Sequence, residues 1–436
     1  MTITCIIRRF TLLAVSVGLA LPSFSQSGTN SPYSQYGWGV MSDQTSGFNR
    51  GMNGVGIAFR DGREVNYLNP ASYSAMDSLM FLFDGGASGH ITHMKEGGKS
   101  ISRRNANFEY AVAGFRLAKH FGVSFGIVPY TNVDYSYATT LPIGSSTTYE
   151  YTNTYTGSGG LRQVYLGAGW QPVKGLSAGF NVAYLWGDYE KWVINSYNDS
   201  YVNTLSKLYQ ADVKTYRLDF GLQYDANLGK NNRLTLGLTY GLGHKMEAKP
   251  TCIVYSNNSQ TGVSDTTTFK IHDKLSIPHT FGAALGFAHG KQWKVGVDYT
   301  LQKWSSVGFP EYNYNDDKPT YEVNPNYFED RHKINIGGEY CTDQLSRSFM
   351  KRIRYRAGAS YASSYFKVNG KDGPKELSVS AGLGIPIINN FNNRSILNVS
   401  VQWIRNGATG LLTENTFRFN IGLTFNERWF QKWKFD

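Results

Sequence analysis

The chain has 436 residues, a formal net charge of +11 and a mean hydropathy of −0.36; it contains 30 Tyr, 9 Trp and 47 Gly, and only 17% of its residues are charged. Gly, Asn, Lys or Asp breaks every apolar run beyond the amino terminus, which excludes a bundle of transmembrane helices, each needing about 18 or more uninterrupted apolar residues. Tyr and Trp collect at membrane interfaces and Gly suits strand bends, so the composition suits a membrane barrel wall, although soluble β-proteins can be equally rich in Tyr.

Residues 1–26 read as a secretory signal peptide: Arg8 and Arg9 form a basic stretch, Phe10 to Leu21 an apolar run, and Pro22 to Gln26 a small-residue cleavage zone. Cleavage removes two of the net positive charges. It also removes Cys5, which lies before the apolar run and so is not placed for lipid attachment at a cleavage site. No Pro/Ser-rich linker, charge block or low-complexity tract divides the remainder, so a single architecture is expected.

Residues 27–77 lack strand periodicity. Asn30 to Val40, Asn49 to Ala58 and Asn66 to Ser72 are small, polar and turn-rich, suited to filling the mouth of a barrel. Within them, the Gly51-x-x-Gly54-x-Gly56 pattern is not preceded by a strand and does not match a dinucleotide loop, so flexible backbone explains it.

From Ser78 to Arg428 about fourteen segments alternate apolar and polar residues, each roughly 10–17 residues long, whereas strands of soluble proteins usually run about 3–10. Short connections (Lys119 to Gly122, Pro172 to Gly175, Ala288 to Gln292) swap with long polar ones (Ala138 to Ser158, Pro250 to Asp265, Ser305 to Asp330). This is the asymmetry of a barrel with tight periplasmic turns and long outer loops. The expected fold is all-β: a transmembrane antiparallel barrel of about 14 strands over residues 78–428, a lumenal amino-terminal plug, and a periplasmic tail over 429–436. The closing strands carry the pattern best: Leu377, Val379, Leu383, Val399, Val401, Phe417, Phe419 and Ile421 are set outward, and Ser378, Ser380, Asn398, Ser400, Gln402, Arg418 and Asn420 inward.

The same parity points Arg217 and Asp219, Lys294 and Asp298, and Lys333 and Glu339 inward. In Lys351 to Tyr361 it sets Ile353, Tyr355 and Tyr361 toward lipid and Arg352, Arg354 and Arg356 toward the lumen. Two readings of the basic surplus stand: a lumen or rim that attracts anions, or scattered charge facing acidic headgroups. Inward charges of both signs more often tie an interior together than bind a solute.

Pro129 interrupts the third strand and cannot donate to the ladder, so it marks either a break in mid-wall or a strand end near the outer interface. His90 and His93 fall on opposite faces and are not placed to share a metal. Cys252 and Cys341 fall on opposite sides of the membrane and are expected as isolated thiols. No Gly-x-Ser-x-Gly elbow occurs, so no enzyme is expected, and neither a cofactor nor a nucleic-acid partner is indicated.

Arg50-Gly-Met-Asn-Gly-Val-Gly-Ile-Ala58 followed by Asn69-Pro70-Ala71 and a strand resembles the amino-terminal hatch of the FadL/TodX family of outer-membrane transporters for long-chain fatty acids and other hydrophobic compounds. Leu275 to His279, Trp293 to Ser305 and Phe328 to Gly337 resemble later blocks of that family in the same order, and the tail Phe425 to Phe435 looks like those of Bacteroidota members. The resemblance implies a monomeric barrel plugged by its hatch, with Arg50, Gly51, Gly54, Gly56, Asn69, Pro70 and Ala71 as gate residues. It also implies passive uptake of a hydrophobic ligand and sideways release at a break in strand three, for which Pro129 is the candidate. Arg217, Arg352, Arg354, Arg356 and Arg418 are the candidate basic lumen residues.

The outer loops depart from that pattern: Tyr312 to Pro319 and Tyr197 to Tyr201 are rich in Tyr, Asn and Asp rather than apolar, and suit protein contacts. A non-transporting subunit or docking partner in an outer-membrane secretion or barrel-assembly complex is therefore the rival reading. In either case membrane lipids surround the wall, and barrel-assembly machinery is expected to insert it.

Overall fold

The computed structural model describes residues 28–144, 148–272, 275–315, 318–368, 370–387 and 395–427. The signal peptide read over residues 1–26 and the tail from residue 429 lie outside them.

Alternating side chains form fourteen wall strands: β1 (Phe81–Glu96), β2 (Lys99–Ala118), β3 in two pieces (Phe121–Pro129 and Thr131–Pro142), β4 (Glu150–Val173), β5 (Leu176–Tyr197), β6 (Thr204–Leu228), β7 (Asn232–Gly241), β8 (Thr280–His289), β9 (Trp293–Gln302), β10 (Arg331–Tyr340), β11 (Arg354–Ala362), β12 (Lys375–Ile387), β13 (Ser395–Gly407) and β14 (Thr413–Glu427). Neighbours in this order pair antiparallel, and β1 pairs with β14 from Phe81↔Glu427 to Lys95↔Thr413, which closes the sheet. On β12, Leu377 and Val379 are 45% and 47% exposed while Ser378 and Ser380 are buried. An apolar exterior around a polar interior is the pattern of an outer-membrane barrel, because only the lumen offers hydrogen-bond partners.

Strand length departs from the sequence reading. β4, β5 and β6 have 24, 22 and 25 residues, against the ~9–11 that cross a bilayer. Much of what reads as outer loop is therefore strand. The outer ends of β3 and β4 pair with each other from Asp134↔Ser158 to Pro142↔Glu150. Thr251–Asn257 and Ser264–Lys270 form a hairpin that adds to the outer end of β6. Phe309–Asn315 pairs with Lys318–Asn324. Above the membrane both strand faces can be polar, so these Thr- and Tyr-rich segments keep their β-propensity without the apolar face that identifies a spanning strand.

Residues 28–80, before β1, are lodged inside the barrel. They form two 3₁₀ turns (Pro32–Gln35, Pro70–Ala75), a four-residue helix (Gly47–Arg50) and the short strand Val40–Met41. Gly169 and Gly179 let the wall approach them: a Cβ on either would stand 2.4 Å from backbone atoms of Pro70.

Candidate functional site

The site is the lumen, where the amino-terminal segment meets inward side chains of the wall. Arg50 ends the short helix, and its guanidinium donates to Glu109 on β2 at 2.8 Å, to Asn420 Oδ1 on β14 at 3.2 Å and to the carbonyl of Thr45. Gly51 follows, its carbonyl accepting from Ser380 Oγ; a Cβ there would stand 3.1 Å from Cβ of Arg356. Asn53 donates to Ser360 and Ser378, and Gly54 takes a φ of +90°, which favours glycine. The amides of Gly56 and Ile57 both donate to Asp298 Oδ2 on β9, at 2.7 and 2.9 Å. Asn69 closes the segment: its Nδ2 donates to the carbonyl of Ile57, while its Oδ1 accepts from Ala71 N and caps the Pro70–Ala75 turn. Pro70 stands at the first position of that turn, where a missing N–H costs nothing.

The inward charges bind the segment to the wall. Glu64 accepts from Arg354 at 3.0 Å and from Arg356 at 2.9 Å; Arg356 also donates to Glu339 at 2.7 Å. Lys294 bridges Asp61 and Glu339 at 2.7 and 3.3 Å. Asp43 pairs with Arg418 at 2.7 Å and Lys333 at 3.4 Å. Burial alone would raise the Asp43 and Asp61 carboxyls, but Lys333 and Arg418 beside the first, and Lys294 and Arg354 beside the second, hold both well below the carboxylate range. Arg217 pairs with Asp219 at 2.9 Å and lies over the Tyr130 ring.

Arg352 is placed differently from its neighbours. The sequence reading starts the strand at Lys351, but Phe349–Arg352 is a single helical turn, the strand begins at Arg354, and Ile353 is buried rather than facing lipid. The basic-apolar alternation runs on across the end of that turn, so periodicity alone overextends the strand by three residues.

The third strand breaks where Pro129 stands. The β2–β3 ladder ends at Ala111↔Ile127, and Tyr130 lies outside the strand, its amide donating to the carbonyl of Leu161. Beyond it the outer piece of β3 pairs with β4 on one side and, on the other, among the described residues, only with Val40–Met41 of the amino-terminal segment. The outer half of β2, residues 99–110, has no strand on that side among the described residues. Residues 28–35 lie in the seam: Asn105 Nδ2 donates to the carbonyl of Gly28 at 2.9 Å, Thr29 Oγ1 and Ser34 Oγ donate to the carbonyl of Asp134, and Tyr137 OH donates to Gln35. Opposite the break, Gly159 and Gly160 of β4 adopt φ of +121° and +137°, and a Cβ on Gly160 would stand 2.4 Å from the carbonyl of Thr131. The wall thus folds along a line through the proline of one strand and a glycine pair of the next. The Gly-Gly dipeptide within a strand pattern is a signal that the sequence reading passed over.

An apolar cluster covers the outer end. Trp38 packs edge-on against Tyr189 and Phe309, and Phe328, Trp304 and Tyr365 continue the stack. Lys191 Nζ donates to the carbonyls of Gln35 and Gly37. Trp38, Glu64 and Lys191 carry no motif; only their contacts across the lumen reveal them. Cys252 and Cys341 are both free and buried.

A search of curated proteins returns no match. Among solved structures, the chain is similar to the Ralstonia pickettii toluene transporter TbuX, at 14% identity over 88% of this chain and 98% of that one, with a TM-score of 0.59. It is also similar to a Pseudomonas aeruginosa FadL homologue, at 11% identity over 89% and 99% with a TM-score of 0.58. The CymD monoaromatic hydrocarbon channel matches at 14% over 89% and 98%, with a TM-score of 0.57. At such identities the shared property is the barrel fold, as the hatch and strand motifs imply. The family model described as BamG matches residues 6–436, and with nearly the whole chain covered, the protein belongs to the BamG family.

Proposed function

We propose that this barrel is an outer-membrane channel of a Gram-negative, Bacteroidota-type cell, reached by Sec-type export, that passively admits hydrophobic or amphipathic molecules such as long-chain fatty acids and releases them through the wall. The observation that carries the reading is the seam beside Pro129, where the β2–β3 ladder stops at Ala111↔Ile127 and the chain's own residues 28–35 occupy the space between the strands. The solved barrels named as toluene transporters and a monoaromatic hydrocarbon channel support it by sharing the fold. In this reading residues 27–77 are the hatch, and Arg50, Gly51, Gly54, Gly56 and Asn69 to Ala71 hold it in register.

The test locks the seam. Gly28→Cys with Asn105→Cys, in a background where Cys252 and Cys341 are Ser, is expected to abolish uptake of a labelled long-chain fatty acid or toluene on oxidation and to restore it on reduction. Uptake unchanged by the lock overturns lateral release.

A second reading, a barrel subunit in an outer-membrane assembly, is favoured by the packed state of the lumen: ion pairs join segment and wall at one end and aromatic packing covers the other. Gentle purification from the native membrane followed by lipid and protein mass spectrometry separates the two. A stoichiometric acyl ligand alone supports the channel, and a stoichiometric companion barrel or lipoprotein without ligand supports the subunit.

A further inference from the structure

The end of the barrel carrying the short connections, its periplasmic mouth, holds a surplus of positive charge that neither reading uses. A recess of about 510 Å³ is lined by Arg60, Arg63, Lys230, Arg233, Lys291 and Lys294, with Asp61 and Asp77 as its acidic residues. Lys294 is committed to Asp61 and Glu339, and Arg60 to Asp225 at 2.8 Å. Arg63 reaches Asp77 at 3.9 Å and donates to Gln344 Oε1 at 3.3 Å. Lys230, Arg233 and Lys291, at the β6–β7 and β8–β9 turns, form no ion pair among the described residues. Burial holds the Arg60 guanidinium below its ordinary value even with Asp225 beside it, and the nearby charge of Arg233 adds a smaller effect in the same direction.

The recess is not isolated. A second one, of about 340 Å³, shares Arg63, Lys291 and Gln344 with it, and a small third one joins Arg63 and Gln344 to Arg352 and Arg354. Arg352 Nε is buried there with no acceptor. A buried guanidinium donor without a partner costs free energy that an acceptor would recover. Crowded bases, an orphaned donor and a solvent-open recess of small-ligand size have one common complement: a multiply charged oxyanion.

We infer that the periplasmic mouth is a binding site for a phosphate group, held by Arg63, Lys230, Arg233 and Lys291, with Arg352 in the adjoining recess. The phosphate has two sources, a soluble phosphate ester or the headgroup of an anionic phospholipid in the periplasmic leaflet. Charge density rather than apolar contact makes the site, so it is independent of the hydrophobic ligand proposed above.

The experiment uses the purified barrel and two probes: inorganic pyrophosphate by titration calorimetry, and nanodiscs of phosphatidylglycerol against phosphatidylcholine, scored by the thermal shift of the barrel. Wild type is compared with a Lys230→Gln, Arg233→Gln, Lys291→Gln variant, whose changes lie in or beside exposed turns, and with Arg103→Gln, Arg104→Gln on the outer rim. Pyrophosphate binding that weakens at least roughly 30-fold in the triple variant and is unchanged in the rim variant supports a soluble phosphate. A phosphatidylglycerol-specific shift lost in the triple variant, without pyrophosphate binding, supports the headgroup. Equal binding by wild type and triple variant, or no response to either probe, overturns the site.

Discussion

Glu64→Gln isolates what holds the amino-terminal segment in the lumen. Glu64 accepts from Arg354 at 3.0 Å and Arg356 at 2.9 Å, with none of the three side chains more than 5% exposed, and it is the only one of the three on the segment rather than the wall. Breaking a buried pair by removing one partner costs about 3–5 kcal/mol, since the remaining charge stays buried. Gln keeps the shape and one acceptor, and Glu339 still neutralises Arg356, so about 3 kcal/mol is expected, roughly a hundredfold in the detachment equilibrium. Hydrogen exchange with mass spectrometry on the purified barrel reads this directly: amides in residues 57–72 lose about a hundredfold in protection, while β10, β11 and β12 keep theirs. Adding Arg354→Met removes a stranded charge and restores part of the protection. Unchanged amides in Glu64→Gln would refute the docking role, and equal loss across the strands would place the effect in barrel stability.

Asp298→Ala leaves the Gly56 and Ile57 amides without their shared acceptor and is expected to cost about 2–4 kcal/mol, seen as faster proteolytic cleavage near residue 57 with an intact barrel. Gly160→Ala places a Cβ 2.4 Å from the carbonyl of Thr131 at a φ of +137°; heat-modifiable gel migration should fall markedly, whereas Gly410→Ala, at a φ of +77° with open space, should cost only about 1 kcal/mol. Asp43 and Asp61 have native values below their unfolded ones, so their pairing contributes in full above about pH 4 and is lost as pH falls through the lower native values. Exchange protection of the segment should thus be level from about pH 8 to 5 and decline below about 4.

Family and fold are separate findings here. The hatch and strand motifs resemble the FadL/TodX family, and the barrel shares that architecture with its solved members, yet the model spanning the chain is that of BamG. The physical reason is that a closed barrel with a lumenal segment imposes the same alternation, turns and close-approach glycines whatever the barrel does.

Alternation is a local property, so the spanning wall was legible strand by strand: Leu377 and Val379 outward, Ser378 and Ser380 inward, Arg217 beside Asp219, and His90 and His93 on opposite faces all follow from a period of two. The tight periplasmic turns and the interruption at Pro129 were legible for the same reason. Where no face meets lipid the local signal fades, which is why the outer pairings of Thr251–Asn257 with Ser264–Lys270 and of Phe309–Asn315 with Lys318–Asn324, and the helical turn before Arg354, escaped it. Tertiary structure alone decided which charges meet. Glu64 finds Arg354 and Arg356 and Asp43 finds Arg418 across hundreds of residues, and Gly28 finds Asn105 across 77, because the closed wall, rather than any stretch of chain, brings them to one lumen.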